Sequence, residues 1–508
     1  MHPDETQQAD VVAFLSDPST YGSDEPVELI TTHSAHVFLT GSQAFKIKRA
    51  VRYSYLNFSS LQDRKAVLER ELALNAPAAP EIYDRVIAVT REDTGGLALE
   101  GTGPAVEYAL RMHRFPREAE LSSIADAGGL TVELARQLGT AVAAYHTGTE
   151  RRSADGAALI REIIEELREA LADMGEVLGS GRVATFLDGT EQAFAAAAPL
   201  LAKRAAAGST RRCHGDLHLR NLVLINGRPV PFDALEFDER LGTCDVFYDF
   251  GFLLMDLLHR GAQMQANAAL NSYLQGTGDF GGLAVLPLFM ALRAAIRAMV
   301  TVQGITGGAS GDAAQDARAY LELAAACLAP VPPRLVAVGG LSGTGKTTIA
   351  ARIAPVLQPL PGAAHLRSDV ERKALFGADP LEPLPADGYR PEVTAEVYAR
   401  LLDRAEQALR SGHSVIVDAT FLKTAYRNSV QELAARLQVP FDGIWLHGNP
   451  AMLERRIAAR TGDASDADAE VLQVQLKRHT SPADWHRIAC GGTADQVAGQ
   501  VKTVLLPA

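Results

Sequence analysis

Apolar and polar positions change their spacing twice along the chain. Residues 30–115 carry short strand-like runs around one helical stretch. Apolar side chains in 37–39 and 44–48 flank a Gly41-Ser42-Gln43 turn, which predicts a hairpin. Leu61, Ala66, Leu68 and Leu72 fall at helical spacing between Ser60 and Asn75, and Pro77 and Pro80 stop that helix. Residues 106–115 predict a further strand or linker. From about 130 to 328 the pattern is mostly helical, broken near 211–237 by short strands. The sum is a small strand-rich lobe followed by a large helical one. Pro330, Pro332 and Pro333 then end an alanine-rich helix and form a stiff, extended connector. Beyond it strands and helices alternate from residue 335, as in an α/β domain with a parallel sheet. The domain boundary is drawn there, giving 1–329 and 334–508.

Composition narrows the class. Of 508 residues 47% are apolar and 22% charged, a globular balance, and the length suits two or three cores. The longest apolar runs, 283–296 and 246–258, are interrupted by Arg293 or by Asp249 and Asp256. Neither reaches the ~20 apolar residues of a membrane span, so no membrane association is expected. The N-terminal Met-His-Pro-Asp-Glu-Thr lacks the basic and apolar regions of a signal peptide, and a cytoplasmic location is expected. Cys213, Cys244, Cys327 and Cys490 are scattered, which argues against zinc ligation and a disulfide framework. A net charge of -12 argues against nonspecific gripping of nucleic acid.

Chemistry enters first in the C-terminal part. Gly340-Leu-Ser-Gly343-Thr-Gly345-Lys346-Thr347 is a complete G-x-x-x-x-G-K-[ST] loop, following an apolar strand and opening a helix at Thr348. Its glycines let backbone N–H groups converge on phosphate oxygens at a helix N-terminus. Lys346 would reach the β- and γ-phosphates, and the Thr347 hydroxyl would ligate Mg²⁺. Two further strands end in acids, Asp369 (with Arg372 one helical turn on) and Asp418, both at carboxyl ends that face the crevice of an open sheet. Arg456 and Arg460, four apart on a predicted helix, can close over phosphates.

The region 334–500 resembles the P-loop kinase group of gluconate kinases, zeta toxins and polynucleotide 5′-kinases. The resemblance rests on the phosphate loop, Ser368-Asp369-x-x-Arg372, Val417-Asp418-Ala-Thr420, and Glu454-Arg-Arg456-x-x-x-Arg460 followed by Asp463-Ala-Ser-Asp466. It implies that Asp369 is the general base on an acceptor hydroxyl, that Arg372 holds the acceptor, and that Arg456 or Arg460 holds the transferring phosphate. Acceptor motifs vary within that group, so no substrate carries over.

The N-terminal part holds a second constellation. His214-Gly-Asp216-Leu-His-Leu-Arg-Asn221 has the H-x-D-x-x-x-x-N spacing of a kinase catalytic loop, in which the Asp takes a hydroxyl proton and the Asn ligates metal. A strand pair turning at Asn226-Gly227 follows, with Asp233 at its end, where the second metal-binding acid belongs. A literal Asp249-Phe250-Gly251 lies inside an apolar helical run, which makes Asp249 a structural hydrogen-bonder. Lys46 and Lys48 share one strand face; Lys48 is preferred because the order Phe-Lys-Ile-Lys mirrors V-A-I-K, with Glu71 as its partner and Glu69 second. Glu236, Asp238 and Glu239 read as an acidic solvated loop, or as groups attracting a cationic acceptor.

Residues 30–320 are similar to the aminoglycoside phosphotransferase group through His214-Gly-Asp216, Asn221, Phe232-Asp233 and Asp245-x-x-x-Asp249. That resemblance implies a bilobal, protein-kinase-like fold phosphorylating small-molecule hydroxyls. The order of the two domains resembles fused bacterial aminoglycoside phosphotransferase and ATP-binding kinases. No G-x-G-x-x-G loop is present, a departure that group shares. The leading expectation is a bifunctional kinase using ATP and Mg²⁺ on sugar or aminoglycoside-like hydroxyls. Two alternatives stay open: a polynucleotide 5′-kinase in the C-terminal domain, or one domain as a nucleotide-sensing module. The choice of ATP over GTP and the oligomeric state are not encoded in these motifs.

Overall fold

The computed structural model describes residues 8–53, 56–305, 311–459, 462, 464–478 and 482–506. They form two compact units, one from the described parts of 1–156 and 204–253, the other from 157–203 and 254–508.

The first unit is built on a six-stranded antiparallel sheet. Its order is Glu28–Thr31, Ala35–Thr40, Gln43–Lys48, Ala105–His113, Tyr83–Arg91, Leu97–Leu99. The second and third strands are the sequence-predicted hairpin, with Phe38 opposite Phe45. Alternation sends Phe45 and Ile47 into a core with Val11, Leu15 and Ile87, and Ala44 into another with Leu68 and Leu110. Lys46 and Lys48 therefore share the face covered by helix Leu61–Asn75, which Ser60 caps by accepting from the Asp63 amide at 3.1 Å. The chain then turns helical, with Val132–Gly148 and the start of Val246–His259 in this unit. Between them lie two short antiparallel pairs, Thr210–Arg212 with Thr243–Asp245 and Leu222–Ile225 with Arg228–Pro231. The latter turns at Asn226-Gly227, both left-handed (φ 51° and 76°), the geometry that Asn-Gly hairpins supply.

The second unit holds a parallel five-stranded sheet in the order Ala364–Arg367, Val415–Asp418, Leu335–Gly340, Phe441–His447, His486–Ala489. Side chains of Val336, Val338, Ile416, Ile444 and Leu446 pack under Ile349, Ile353 and Val501. The proline seam at 329–334 has no regular structure, yet the packing boundary does not follow it. Helix Gln263–Thr277 belongs with the parallel sheet because its amides bond the backbone there. Gln263 donates to the Pro355 carbonyl at 2.6 Å, Asn267 and Asn271 donate to Ala363 at 3.0 and 3.2 Å, and Asn271 accepts from the His365 amide at 2.6 Å. On the free edge of strand Ala364–Arg367 the His365 amide thus meets the Asn271 side chain instead of another strand.

Helix Leu286–Gln303 extends the interrupted run at 283–296 and is long and apolar enough to cross a membrane by length and composition. It is a core helix: Phe289, Met290, Leu292, Ala294 and Ala295 are buried, and it packs along Asp312–Leu328.

His413, fully buried just before strand Val415–Asp418, has its pKa pushed down to about 4 by burial, which disfavours the imidazolium. The unfolded chain takes up this proton near pH 6.5 while the folded chain resists until about pH 4. This contribution to stability is complete above pH 6.5 and drains away as the pH falls to 4. His413→Leu should flatten the decline in unfolding free energy across that window, by on the order of 3 kcal/mol, in urea titrations at stepped pH.

Candidate active sites

In the first unit, backbone bonds stitch three loop segments together. The Phe232 amide donates to the Asn221 carbonyl at 3.0 Å and the Leu235 amide to the His214 carbonyl at 2.9 Å. His214, buried, lies 2.8 Å from the Phe232 carbonyl through Nε2. The Asp216–Asn221 loop and Asp233 are therefore neighbours. Asn221 Nδ2 donates to both the Asp216 carboxylate and its carbonyl at 2.9 Å.

Asp249 sits in helix Val246–His259, completely buried. Its two oxygens accept the His214 amide at 3.0 Å and the Gly215 amide at 2.9 Å, with His146 Nε2 at 3.1 Å. It ties the 214–215 backbone to its own helix and is closed to solvent. The structural reading of the literal Asp-Phe-Gly rests on this geometry.

The two lysines differ in their partners. Lys48 Nζ lies 2.7 Å from Glu71 Oε2 and also bonds Glu236; all three are buried. Lys46 Nζ lies 2.7 Å from Glu71 Oε1 and 2.8 Å from Asp233, whose side chain is 44% exposed. Lys46 thus stands on the more open side with Asp233, whereas Lys48, which the sequence favoured, is sealed inside. Burial alone would lower the Lys46 pKa, but Asp233, Glu71 and Glu236 outweigh it and hold it well above the ordinary lysine value. Burial would raise Asp233, but Lys46, with Lys48 and His214, holds it below the usual carboxylate range.

Sequence reasoning missed several supports. Asn75 donates to the Glu71 carbonyl at 2.9 Å and accepts the Ala234 amide at 2.8 Å, tying the helix to the Asp233 segment. Its spacing of four from Glu71 is the signal that could have found it. The Tyr83 hydroxyl accepts the Asp233 amide at 2.9 Å, at a residue with φ 60°. Glu236 is not solvated, as an acidic loop would be; it neutralises Lys48 inside the protein.

In the second unit, Leu335–Gly340 runs into the phosphate loop and helix Lys346–Ile353. Gly340 and Gly343 have φ of 146° and 81°, and a Cβ on either would lie 2.5 Å from the Leu446 carbonyl or 2.7 Å from that of Leu453. Only glycine lets the loop close over backbone this tightly. A cavity of about 620 Å³ is lined by Gly343, Gly345, Lys346, Thr347 and Thr348 together with Asp369, Arg456 and Ser465. The Lys346 ammonium donates to the Leu341 carbonyl at 3.1 Å, across the loop.

Thr347 Oγ1 donates to Asp418 at 2.7 Å, and His365 Nε2 lies 3.3 Å from the same oxygen. Burial would raise Asp418, but His365, Lys346 and Arg367 hold it low. Asp369 shifts the other way: burial raises it, Asp418 adds to this, and Lys346 only partly offsets it. Arg456 donates to the Cys490 carbonyl at 2.9 Å beside the cavity. Arg372 does not line this cavity. Its guanidinium donates to the Gly388 carbonyl at 2.7 Å and lies over the Tyr389 ring, holding segment 386–394. Arg460 and Asp463 lie outside the described residues. The Thr347–Asp418 pair and the glycine-lined loop fit a metal–nucleotide complex, as do Asn221 and Asp233 beside Asp216 in the first unit.

Residues 335–482 match the AAA domain family. Over 492 residues the chain is 30% identical to Rv2004c of Mycobacterium tuberculosis H37Rv, covering 94% of this chain and 95% of the relative, and equally to Mb2027c of Mycobacterium bovis. The chain belongs to their family. Among solved structures it is similar to a gluconokinase from Sinorhizobium meliloti (25% identity, 33% of this chain and 89% of that one, TM-score 0.25). It is also similar to a choline/ethanolamine kinase family protein from Mesorhizobium loti (17% identity, 64% and 95% covered, TM-score 0.38). The phosphate loop and the kinase-type loop class the chain as a phosphotransferase.

The two lysines should separate experimentally. Lys48→Met strands the buried Glu71 and Glu236 charges and should cost about 3–5 kcal/mol in denaturant unfolding. Lys46→Met should cost less stability and instead weaken nucleotide binding at the first unit by about tenfold or more, read by fluorescent-ATP titration in a Lys346→Ala background.

Proposed function

We propose that the protein is a bifunctional kinase whose two sites each use ATP with Mg²⁺ to phosphorylate a hydroxyl of a small molecule. The observation that carries this reading is the division of carboxylates around each phosphate site. In the second unit Asp418 is committed to the Thr347 hydroxyl, while Asp369 lines the cavity with Lys346 and Arg456. In the first, Asp233 is committed to Lys46 while Asp216 is oriented by Asn221. One acid for metal and one for the acceptor proton is what hydroxyl phosphorylation requires.

Transfer of the γ-phosphoryl group is mainly a matter of positioning and charge compensation. The loop amides and Lys346 hold the phosphates in the second unit, Arg456 offsets charge on the transferring group, and Asp369 accepts the acceptor hydroxyl's proton. Its raised affinity for a proton suits that task. In the first unit Lys46 takes the phosphate-facing role, Lys48 and Glu71 fix it from behind, and Asp216 accepts the proton. Thr347 and Asp418 in one unit, and Asn221 and Asp233 in the other, would hold Mg²⁺, which would supply charge neutralisation. Sugars and amino sugars are the acceptor class that the sequence resemblances support.

An acceptor screen with ATP against sugars, aminoglycosides and oligonucleotides tests the reading. Asp216→Asn should cut one reaction by roughly 10² or more and spare the other, with Asp369→Asn doing the converse, while both variants still bind ATP. Loss of one and the same reaction in both variants would overturn independence of the sites. Phosphorylation of oligonucleotides alone would overturn the small-molecule assignment.

A further inference from the structure

The segment that follows Asp233 carries acids at every third position, Asp233, Glu236 and Glu239. The first two hold Lys46 and Lys48. Glu239 gathers three arginines. Arg152 lies 2.8 Å from Oε1, Arg212 3.2 Å from Oε2, and Arg70 pairs with Oε2. They come from separate places: Arg70 precedes Glu71 on the lysine-facing helix, Arg152 follows helix Val132–Gly148, and Arg212 leads directly into the catalytic loop.

Arg212 is buried, and its guanidinium also donates to the Cys213 carbonyl at 2.6 Å and to the Leu235 carbonyl. Burial and the nearby Arg70 charge push its pKa down. Arg152 has one further acid, Glu150. The cluster therefore holds three cations against two carboxylates, and Glu239 is the only one of the two that touches all three arginines.

We propose that Glu239 is a built-in anion that locks the 233–242 segment, the Arg70 helix and the catalytic loop into one working arrangement. Without its charge the three guanidinium groups repel at close range, and the segment loses its outer anchor while Asp233 and Glu236 keep the inner two. The lock needs no added phosphate, since its carboxylate is part of the chain. Glu239 touches no reacting group and is a positioning residue. Its consequence for nucleotide binding rests on the kinase reading of the first unit.

The test uses full-length protein carrying Lys346→Ala, so that nucleotide binding reports the first unit, with backbone hydrogen exchange read in parallel. Glu239→Gln keeps the shape and removes the charge; exchange across 233–242 and 214–221 should rise about tenfold or more, with nucleotide affinity falling by a similar factor. Glu239→Ala should behave likewise, and potassium acetate, but not potassium chloride at the same ionic strength, should restore it by filling the vacated anion position. Adding Arg70→Gln to Glu239→Gln should recover part of the loss by relieving repulsion. Unchanged exchange in Glu239→Gln, or Glu239→Ala protein indifferent to acetate, would overturn the lock. Should exchange respond as stated while the Lys346→Ala parent binds no nucleotide, the lock stands and the kinase reading of the first unit falls.

Discussion

Glu71 has no water with which to share its charge. A carboxylate so placed is costly unless fully compensated, and it is compensated twice, by Lys48 on one oxygen and Lys46 on the other. Each lysine then demands a second acid, and both acids lie in the stretch after the catalytic loop. A single buried charge therefore fixes a strand, a helix and a loop against one another. Asn75, one helical turn past Glu71, adds a neutral bond between that helix and that loop. The pairing of Lys46 with Asp233 leaves a partly exposed cation and anion side by side, the arrangement that a metal-bound polyphosphate can divide between them.

The second unit meets the same electrostatic demand with backbone. Its phosphate loop relies on φ values that side chains resist and on glycines pressed against the Leu446 and Leu453 carbonyls. Side-chain charge joins it through Lys346, Asp369 and Arg456 in the cavity lining and through buried Asp418 on the Thr347 hydroxyl. The two units thus place charge by different physical routes, a network of buried ion pairs in one and a cradle of amides in the other.

Much of this was legible in the residue pattern because it is local. The hairpin before Lys46, the helix ending at Asn75, the catalytic-loop spacing and the glycine-rich loop are each written within about twenty residues, where periodicity and turn chemistry act directly. The choice between Lys46 and Lys48 was not, since both occupy one strand face and only partners 187 or 188 residues away tell them apart. Arg372 was read from its spacing to Asp369, yet its fork is taken by the Gly388 carbonyl, a contact set by a later loop. Glu236 looked solvated because an acid among acids usually is; its buried lysine lay far off in sequence. Local composition also marked the proline seam, whereas packing follows where the polar groups of helix Gln263–Thr277 find their partners.

Those amide contacts bear on whether the chain can be divided. The strand Ala364–Arg367 stands at the margin of its sheet, and the Ala363 carbonyl before it and the His365 amide within it are bonded by Asn267 and Asn271, residues that precede the seam. A gene cut at the prolines would separate the nucleotide-binding sheet from its own selvage and leave a ragged margin inviting another chain to pair. The two halves are consequently not interchangeable cassettes on a tether. Dividing the chain at the seam would leave the Ala363 carbonyl and the His365 amide without these partners.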